Sequence, residues 1–190
     1  MRRIGWLLLI ATSAAFAATP IASSSTHWTW RSLHRPLHIP RIAPGAACPL
    51  SATHSVGLGS NGTFELPGPG PAYPMLLGGR PVDFFYPPLA TQPDFYGTDW
   101  GGQKVLWAVT SAYHGPVLVR GRQLDGSNLV RFDSRRPLPA GELRILPGRR
   151  THYRASFTRL RAAGCYAYQI DGTTFSRVIV FEARIVSPPG

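Results

Sequence analysis

Short segments in which apolar and polar residues alternate dominate the second half of the chain. Between residues 104 and 110, Val105, Trp107 and Val109 occupy every second position, so one face of the predicted strand is apolar. Asp171-Gly172 predicts a type I′ hairpin turn between the last two strands. No segment after the N-terminal apolar run has a helical period, and turn signals recur about every 8–12 residues, so we predict an all-β sandwich. The other strand-like segments are 117–123, 128–132, 142–146, 152–158, 165–170 and 173–186.

The first half of the chain has a weaker pattern. Residues 56–66 predict a strand interrupted at Ser60-Asn61-Gly62. Residues 67–102 lack a strong period and are rich in proline, but aromatic residues are interleaved throughout them. Disordered segments have few aromatic residues, so this stretch predicts a long, ordered Pro/aromatic-rich loop region. Long ordered loops often carry function.

The N-terminus has the pattern of a secretory signal peptide. Met1-Arg2-Arg3 is followed by an apolar run that ends near Ala15-Phe16-Ala17, an A-x-A cleavage site, so we expect residues 1–17 to be removed. The apolar run is shorter than the ~20 residues that a transmembrane helix needs. The mature chain is therefore expected to be secreted, or held at the cell envelope by non-covalent contacts, without a transmembrane segment.

Residues 18–47 contain Ser, Thr, Pro and scattered basic residues without a sustained period, and predict a flexible spacer. His34 and His38, with His27, invite a metal site, but Pro36 lies between them and no carboxylate is near in the sequence. We therefore predict no metal site and no cofactor. The domain is expected to span residues 48–186, followed by a tail at 187–190.

Cys48 and Cys165 are the two cysteines of the chain. Two cysteines in an exported protein most simply form one disulfide, although two free thiols or a metal pair are alternatives. Their separation does not match zinc-ligand spacing, which favours the disulfide. Closing a loop of about 100 residues contributes about 4–5 kcal/mol in the chain-entropy model.

The segment Gly164-Cys165-Tyr166-Ala167-Tyr168, with Cys48-Pro49, Trp107 and Gly121-Arg122-Gln123-Leu124-Asp125, carries a family resemblance. In these features the chain resembles uncharacterised secreted bacterial proteins with an immunoglobulin-like β-sandwich domain. The resemblance implies that fold over roughly residues 48–186, but it implies no function. Cys165 precedes the tyrosines, unlike the second cysteine of antibody domains, so we expect Cys48 to attach the start of the domain to the penultimate strand.

The chain is basic, with a formal net charge of +11. If arginines occupy alternate strand positions, several line one sheet face and bind anions there, although solvated charges that keep the protein soluble are an equal alternative. The expected partners are anionic cell-surface polymers or lipid head groups. A specific nucleic-acid reader is disfavoured, because the aromatic residues among these arginines alternate like core residues. The predicted anion-binding residues are Arg120, Arg122, Arg131, Arg144 and Arg154.

Candidate catalytic residues are few. Ser111, His114 and Asp99 contain the residue types of a hydrolase triad, and Asp94 and Asp99 flank two aromatic residues, but no nucleophile elbow or His-Glu-x-x-His motif is present. We therefore predict no catalytic residue and favour a non-catalytic structural or adhesive protein. The alternative is a small secreted hydrolase with its cleft at the Pro/aromatic-rich loop region.

Overall fold

The computed structural model describes residues 28–76, 81–84, 98–133, 138–146 and 148–185. The predicted signal peptide and the predicted tail lie outside these ranges, as does Val186 at the end of the predicted domain. Within the described residues no helix is long and apolar enough to span a bilayer. The elements there are α1 (Trp30–Leu33), β1 (Thr53–Gly57), β2 (Thr63–Pro67), β3 (Ala72–Met75), β4 (Val82–Phe84), β5 (Gly101–Val109), β6 (Val117–Gln123), β7 (Arg131–Phe132), β8 (Leu143–Ile145), β9 (His152–Leu160), β10 (Gly164–Gly172) and β11 (Ser176–Ile185).

Two sheets share one hydrophobic core. The five-stranded sheet has the order β4-β11-β10-β6-β8, and the four-stranded sheet has the order β3-β5-β9-β7. Neighbouring strands are antiparallel except β4, which runs parallel to β11. Apolar side chains of both sheets meet between them, and the Trp107 and Tyr168 rings make an edge contact with centroids 5.0 Å apart. The prediction of an all-β protein is confirmed.

The alternating pattern explains which strand face is buried. Val105, Trp107 and Val109 are completely buried in the shared core, as the sequence predicts for one face of β5. The interrupted strand over residues 56–66 forms a hairpin of β1 and β2. Apolar side chains of this hairpin pack against Tyr73 and Ala108. The hairpin therefore covers the side of the four-stranded sheet that faces away from the shared core.

The last hairpin turns later than the sequence predicts. Asp171 and Gly172 are paired within the β10–β6 ladder, and Asp171 also lies opposite Ser176 of β11. The chain reverses at residues 173–175, where the Gly172 N–H donates to the Phe175 carbonyl at 2.9 Å. The prediction of an Asp171-Gly172 turn is therefore wrong. At its position in β10, Asp171 forms hydrogen bonds with buried polar side chains, and these bonds outweigh its local preference for a turn.

The Pro/aromatic-rich region also contains strands that the sequence pattern does not reveal. Within residues 67–102, β3 and β4 each form the edge of a sheet. Pro74 lies inside β3, where an edge position tolerates a residue without a backbone N–H. Residues 77–80 and 85–97 of this region lie outside the described part of the chain.

A strap of residues 29–51 covers the outer face of the five-stranded sheet. It crosses from β8, where Trp30 contacts Arg144, to β11, where the Ser51 N–H donates to the Val180 carbonyl at 3.1 Å. Leu33 and Ile39 are buried, with 1% and 3% of their surface exposed. The predicted flexible spacer is therefore wrong for residues 29–42, because these residues pack and hydrogen-bond on the sheet.

Cys48 and Cys165 form a disulfide across a sequence separation of 117 residues. Cys165 lies on β10, the penultimate strand, and Cys48 lies on the strap. The predicted pairing is confirmed, as is the expectation that Cys48 is attached to the penultimate strand. The bridge ties the strap to the centre of the five-stranded sheet.

Candidate functional site

Two of the five predicted anion-binding arginines lie beneath the strap. Arg120 has 7% of its surface exposed and donates to the Arg35 carbonyl at 2.6 Å, while Arg122 donates to the Ile39 carbonyl. Both guanidinium groups therefore hold strap backbone in place. These two residues do not present a surface for a large anion.

The buried carboxylate of Asp171 organises this interface. It accepts hydrogen bonds from Arg120 at 2.8 Å, from Ser176 at 2.6 Å and from Gln169 at 3.0 Å, and forms a longer ion pair with Arg35 at 3.4 Å. A buried carboxylate is costly unless it is paired and hydrogen-bonded, and here it has both kinds of partner. The network therefore has a structural role, which is to hold the strap on the sheet.

Arg131 and Arg154 belong to the other sheet. Arg131 is half-buried on β7, and Arg154 on β9 pairs with Asp133 at 3.1 Å. Asp133 has a positive φ of 59°, a conformation that Asp adopts more readily than most residues, and its other oxygen accepts a bond from Ser156 at 2.9 Å. Arg120, Arg122 and Arg144 lie on the outer face of the five-stranded sheet, since Leu118, on the same face of β6 as Arg120 and Arg122, pairs with Arg144 of β8. Arg131 and Arg154 belong to the other sheet, so the five arginines do not form one surface.

Arg144 has the most ligand-accessible environment of the five. It lies on β8 at the edge of its sheet, and 53% of its side chain is exposed. Its guanidinium lies 5.2 Å from the centroid of Trp30 and pairs with Glu142 at 2.6 Å. The same carboxylate lies 3.4 Å from Nε2 of His34. Strap and sheet therefore meet at a group of cationic and aromatic side chains.

Arg144 lines two clefts. The first has a volume of about 480 Å³ and is lined by Trp30, Arg31, His34 and Arg144. The second has a volume of about 450 Å³. Both volumes fall in the range of small-molecule sites, about 300–1,000 Å³. The residues that line the second cleft are Arg144, Ile145, Leu146, Gly148, His152, Tyr153 and Arg154.

The second cleft lies where an edge of one sheet approaches an edge of the other. β8 is an edge strand, and β7 pairs only with residues 158–159 of β9, so the first half of β9 has no partner on that side within the described residues. The exposed Arg149 and Arg150 follow the lining residue Gly148 in the connection between β8 and β9. We call the two clefts together the Arg144 site. Its arginines and histidines favour an anionic ligand.

Two arginines of this site already have carboxylate partners near the surface, Glu142 for Arg144 and Asp133 for Arg154. An ion pair at the protein surface contributes only about 0–1 kcal/mol, so a polyvalent anion can compete with Glu142 for Arg144. Trp30 adds an aromatic face beside the guanidinium, and such cation–π contacts orient a guanidinium without neutralising it. The geometry therefore suits an anionic ligand that binds through its charge and through stacking.

The residues of the hydrolase alternative do not come together where they are described. Asp99 precedes β5 and pairs with Arg161 at 3.8 Å, whereas His114 follows β5 and contacts the Gly148 carbonyl through Nδ1 at 3.1 Å. A nine-residue strand spans roughly 26 Å, so these two side chains lie at opposite ends of the sheet. Ser111 lies at the His114 end, and Asp94 lies outside the described residues.

The two histidines of the strap, His34 and His38, have different partners. His34 faces Glu142, and the backbone N–H of His38 donates to the Gln169 side chain at 2.7 Å. In the described ranges, no group of three or more His, Cys, Asp or Glu side chains is placed to hold a metal ion. His27 lies outside those ranges.

The sequence prediction included Arg144 and Arg154 but missed most of the site around them. Trp30, Arg31 and His34 were assigned to the flexible spacer, and His152 and Tyr153 to an ordinary strand. The available signal was the run Trp28-Thr29-Trp30-Arg31, in which aromatic and basic residues lie close together. Comparison of the chain with protein-family models, with curated proteins and with solved structures returns no match.

Proposed function

We propose that this is a secreted or envelope-associated, non-catalytic protein with an immunoglobulin-like β-sandwich, which binds anionic groups of the cell surface at the Arg144 site. The disulfide supports an oxidising compartment, since such bonds persist outside the reducing cytoplasm. Two sheets around one core, with Trp107 buried between them, support the immunoglobulin-like architecture. The role is structural or adhesive.

The observation that carries this proposal is the position of Arg144. It is exposed, lies against Trp30 and lines both clefts. A second arginine lines each cleft, Arg154 in one and Arg31 in the other. Such clustering raises the local concentration of an anionic partner and makes binding sensitive to ionic strength.

A pair of variants tests this site. We expect Arg144→Gln to weaken binding of fluorescent long-chain polyphosphate to the secreted protein about tenfold, or about 1.4 kcal/mol, because one charge-assisted contact is lost. Arg184→Gln is the matched control. Arg184 is also exposed and also pairs with the acidic residue two positions earlier, Glu182, but it lies on β11, away from the two clefts.

Fluorescence anisotropy in low salt and in about 0.15 M salt, where the Debye length is about 8 Å, provides the measurement. Polyphosphate should bind the wild-type protein more tightly in low salt, and Arg184→Gln should retain nearly all of this affinity. No binding in low salt would refute the proposal. Equal losses in the two variants would assign the binding to net charge and would refute the Arg144 site.

A further inference from the structure

An uncharged groove lies beside the Arg144 site on the outer face of the four-stranded sheet. It has a volume of about 230 Å³ and is bounded on one side by the β1–β2 hairpin. Phe64 and Met75 are only partly buried there, and the neighbouring Leu76 has 65% of its surface exposed. None of the groove's lining residues is charged: they are Asn61, Phe64, Met75, Leu106 and Tyr153.

Tyr153 joins this groove to the cleft that contains Arg144 and Arg154, because its side chain lines both. Its hydroxyl accepts a hydrogen bond from the Asn61 amide at 2.7 Å, which positions the ring between the two cavities. A tyrosine with 36% of its surface exposed presents an apolar ring and a polar tip at this boundary. The surface therefore changes from cationic to apolar across one side chain.

We propose that the ligand of the Arg144 site is an anionic amphiphile, with its acidic head group at Arg144 and Arg154 and its alkyl chain in the groove. This inference rests on the proposed function and specifies the class of ligand. A polyanion alone would leave the groove unused, because the groove offers no cation to a second charged group. An alkyl chain that moves from water into the groove gains binding free energy, so the affinity depends on the number of methylene groups buried.

Alkyl phosphates of increasing length test this arrangement with the secreted protein. Butyl, octyl and dodecyl phosphate are titrated by calorimetry below their critical micelle concentrations, beside dodecyltrimethylammonium, which has a long chain but a cationic head. We expect affinity to rise at least tenfold from butyl to octyl phosphate and not to fall with dodecyl phosphate. The cationic amphiphile should bind at least tenfold more weakly than dodecyl phosphate.

Two variants separate the head-group site from the groove. Met75→Gln should abolish most of the gain in affinity with chain length, and Arg144→Gln should weaken the binding of every alkyl phosphate by a similar factor. Leu129→Gln, at a leucine with 45% of its surface exposed outside the groove, is the matched control. Circular dichroism and the unfolding midpoint confirm that each variant is folded.

The outcomes distinguish this inference from the proposed function. Equal affinity for all chain lengths, with polyphosphate binding intact, would refute the proposal that the ligand is an amphiphile and would support the anion site alone. A gain with chain length that persists in Met75→Gln would place the chain elsewhere and would also refute the groove. Failure of both polyphosphate and every alkyl phosphate to bind would refute both proposals.

Discussion

At the scale of single residues, the core depends on tyrosines that remain neutral. Tyr168 is completely buried, and burial raises its pKa, while its hydroxyl lies 2.6 Å from Oγ1 of Thr158. Burial also raises the pKa of Tyr166, whose hydroxyl donates to the Ala162 carbonyl at 2.8 Å. Both rings stack on Phe181. Ionising either phenol would place an unpaired charge in the core.

These tyrosines predict a loss of stability in alkali. In the unfolded chain a tyrosine ionises near pH 10, and its folded pKa is higher, so the unfolded state releases protons first. The free energy of unfolding is therefore unaffected by these groups below about pH 10 and falls above it, by up to about 1.4 kcal/mol per pH unit for each tyrosine. Urea unfolding between about pH 8 and pH 11 measures this slope. The free energy of unfolding of the double variant Tyr166→Phe/Tyr168→Phe should fall less steeply with pH. An equally steep fall would contradict the prediction.

At the scale of secondary-structure elements, the strap joins the fold to the candidate site. Trp30 and Arg31 of its single helical turn, with the following His34, line one cleft, and Leu33 of the same turn is buried. The turn has a capping box between Thr29 and Ser32. Four residues are too few for an independently stable helix, so packing on the sheet maintains it.

Leu33→Ala should therefore detach the start of the strap. We expect a cost of about 2–5 kcal/mol for this buried leucine, together with weaker polyphosphate binding, because the same turn carries Trp30. Leu37→Ala, on the same strap at a leucine with 37% of its surface exposed, should cost less than about 0.5 kcal/mol. Urea unfolding and hydrogen exchange provide the measurements. A cost of less than about 0.5 kcal/mol for Leu33→Ala as well would contradict the prediction that packing holds the strap.

At the scale of the whole molecule, one covalent bond connects the strap to the sheet. The Cys48–Cys165 bridge closes a loop that contains most of the strands. In the chain-entropy model, a loop of this length contributes about 4–5 kcal/mol by restricting the unfolded chain. The small cluster of Ile39, Leu124 and Ala167 around Cys165 adds apolar packing at the same place.

The double variant Cys48→Ala/Cys165→Ala should lose about 4–5 kcal/mol of unfolding free energy relative to the oxidised wild-type protein. Dithiothreitol should lower the urea midpoint of the wild-type protein and leave that of the variant unchanged. Mass analysis of the purified protein under non-reducing conditions should show both thiols blocked. Free thiols, or a wild-type midpoint that is insensitive to reductant, would contradict this prediction.

Much of the fold was predictable from local pattern. Alternation of apolar residues predicted β5, strand-like segments between turns predicted β6 and β9, and the cysteine count predicted the disulfide. The edge strands β3 and β4 were missed, because short edge strands with proline have little periodicity. Asp171 was assigned to a turn, because its pairing with Arg120 joins residues 51 positions apart in the sequence.

The sequence by itself determined which face of β5 is buried and which two sulfur atoms are joined. Strand periodicity is a local property, and two cysteines allow one intramolecular pairing. Only the tertiary structure decided which arginines face solvent together, because that depends on where the irregular strap lies. The strap covers Arg120 and Arg122 and brings Trp30 to Arg144, through long-range contacts that have no local signature in the sequence.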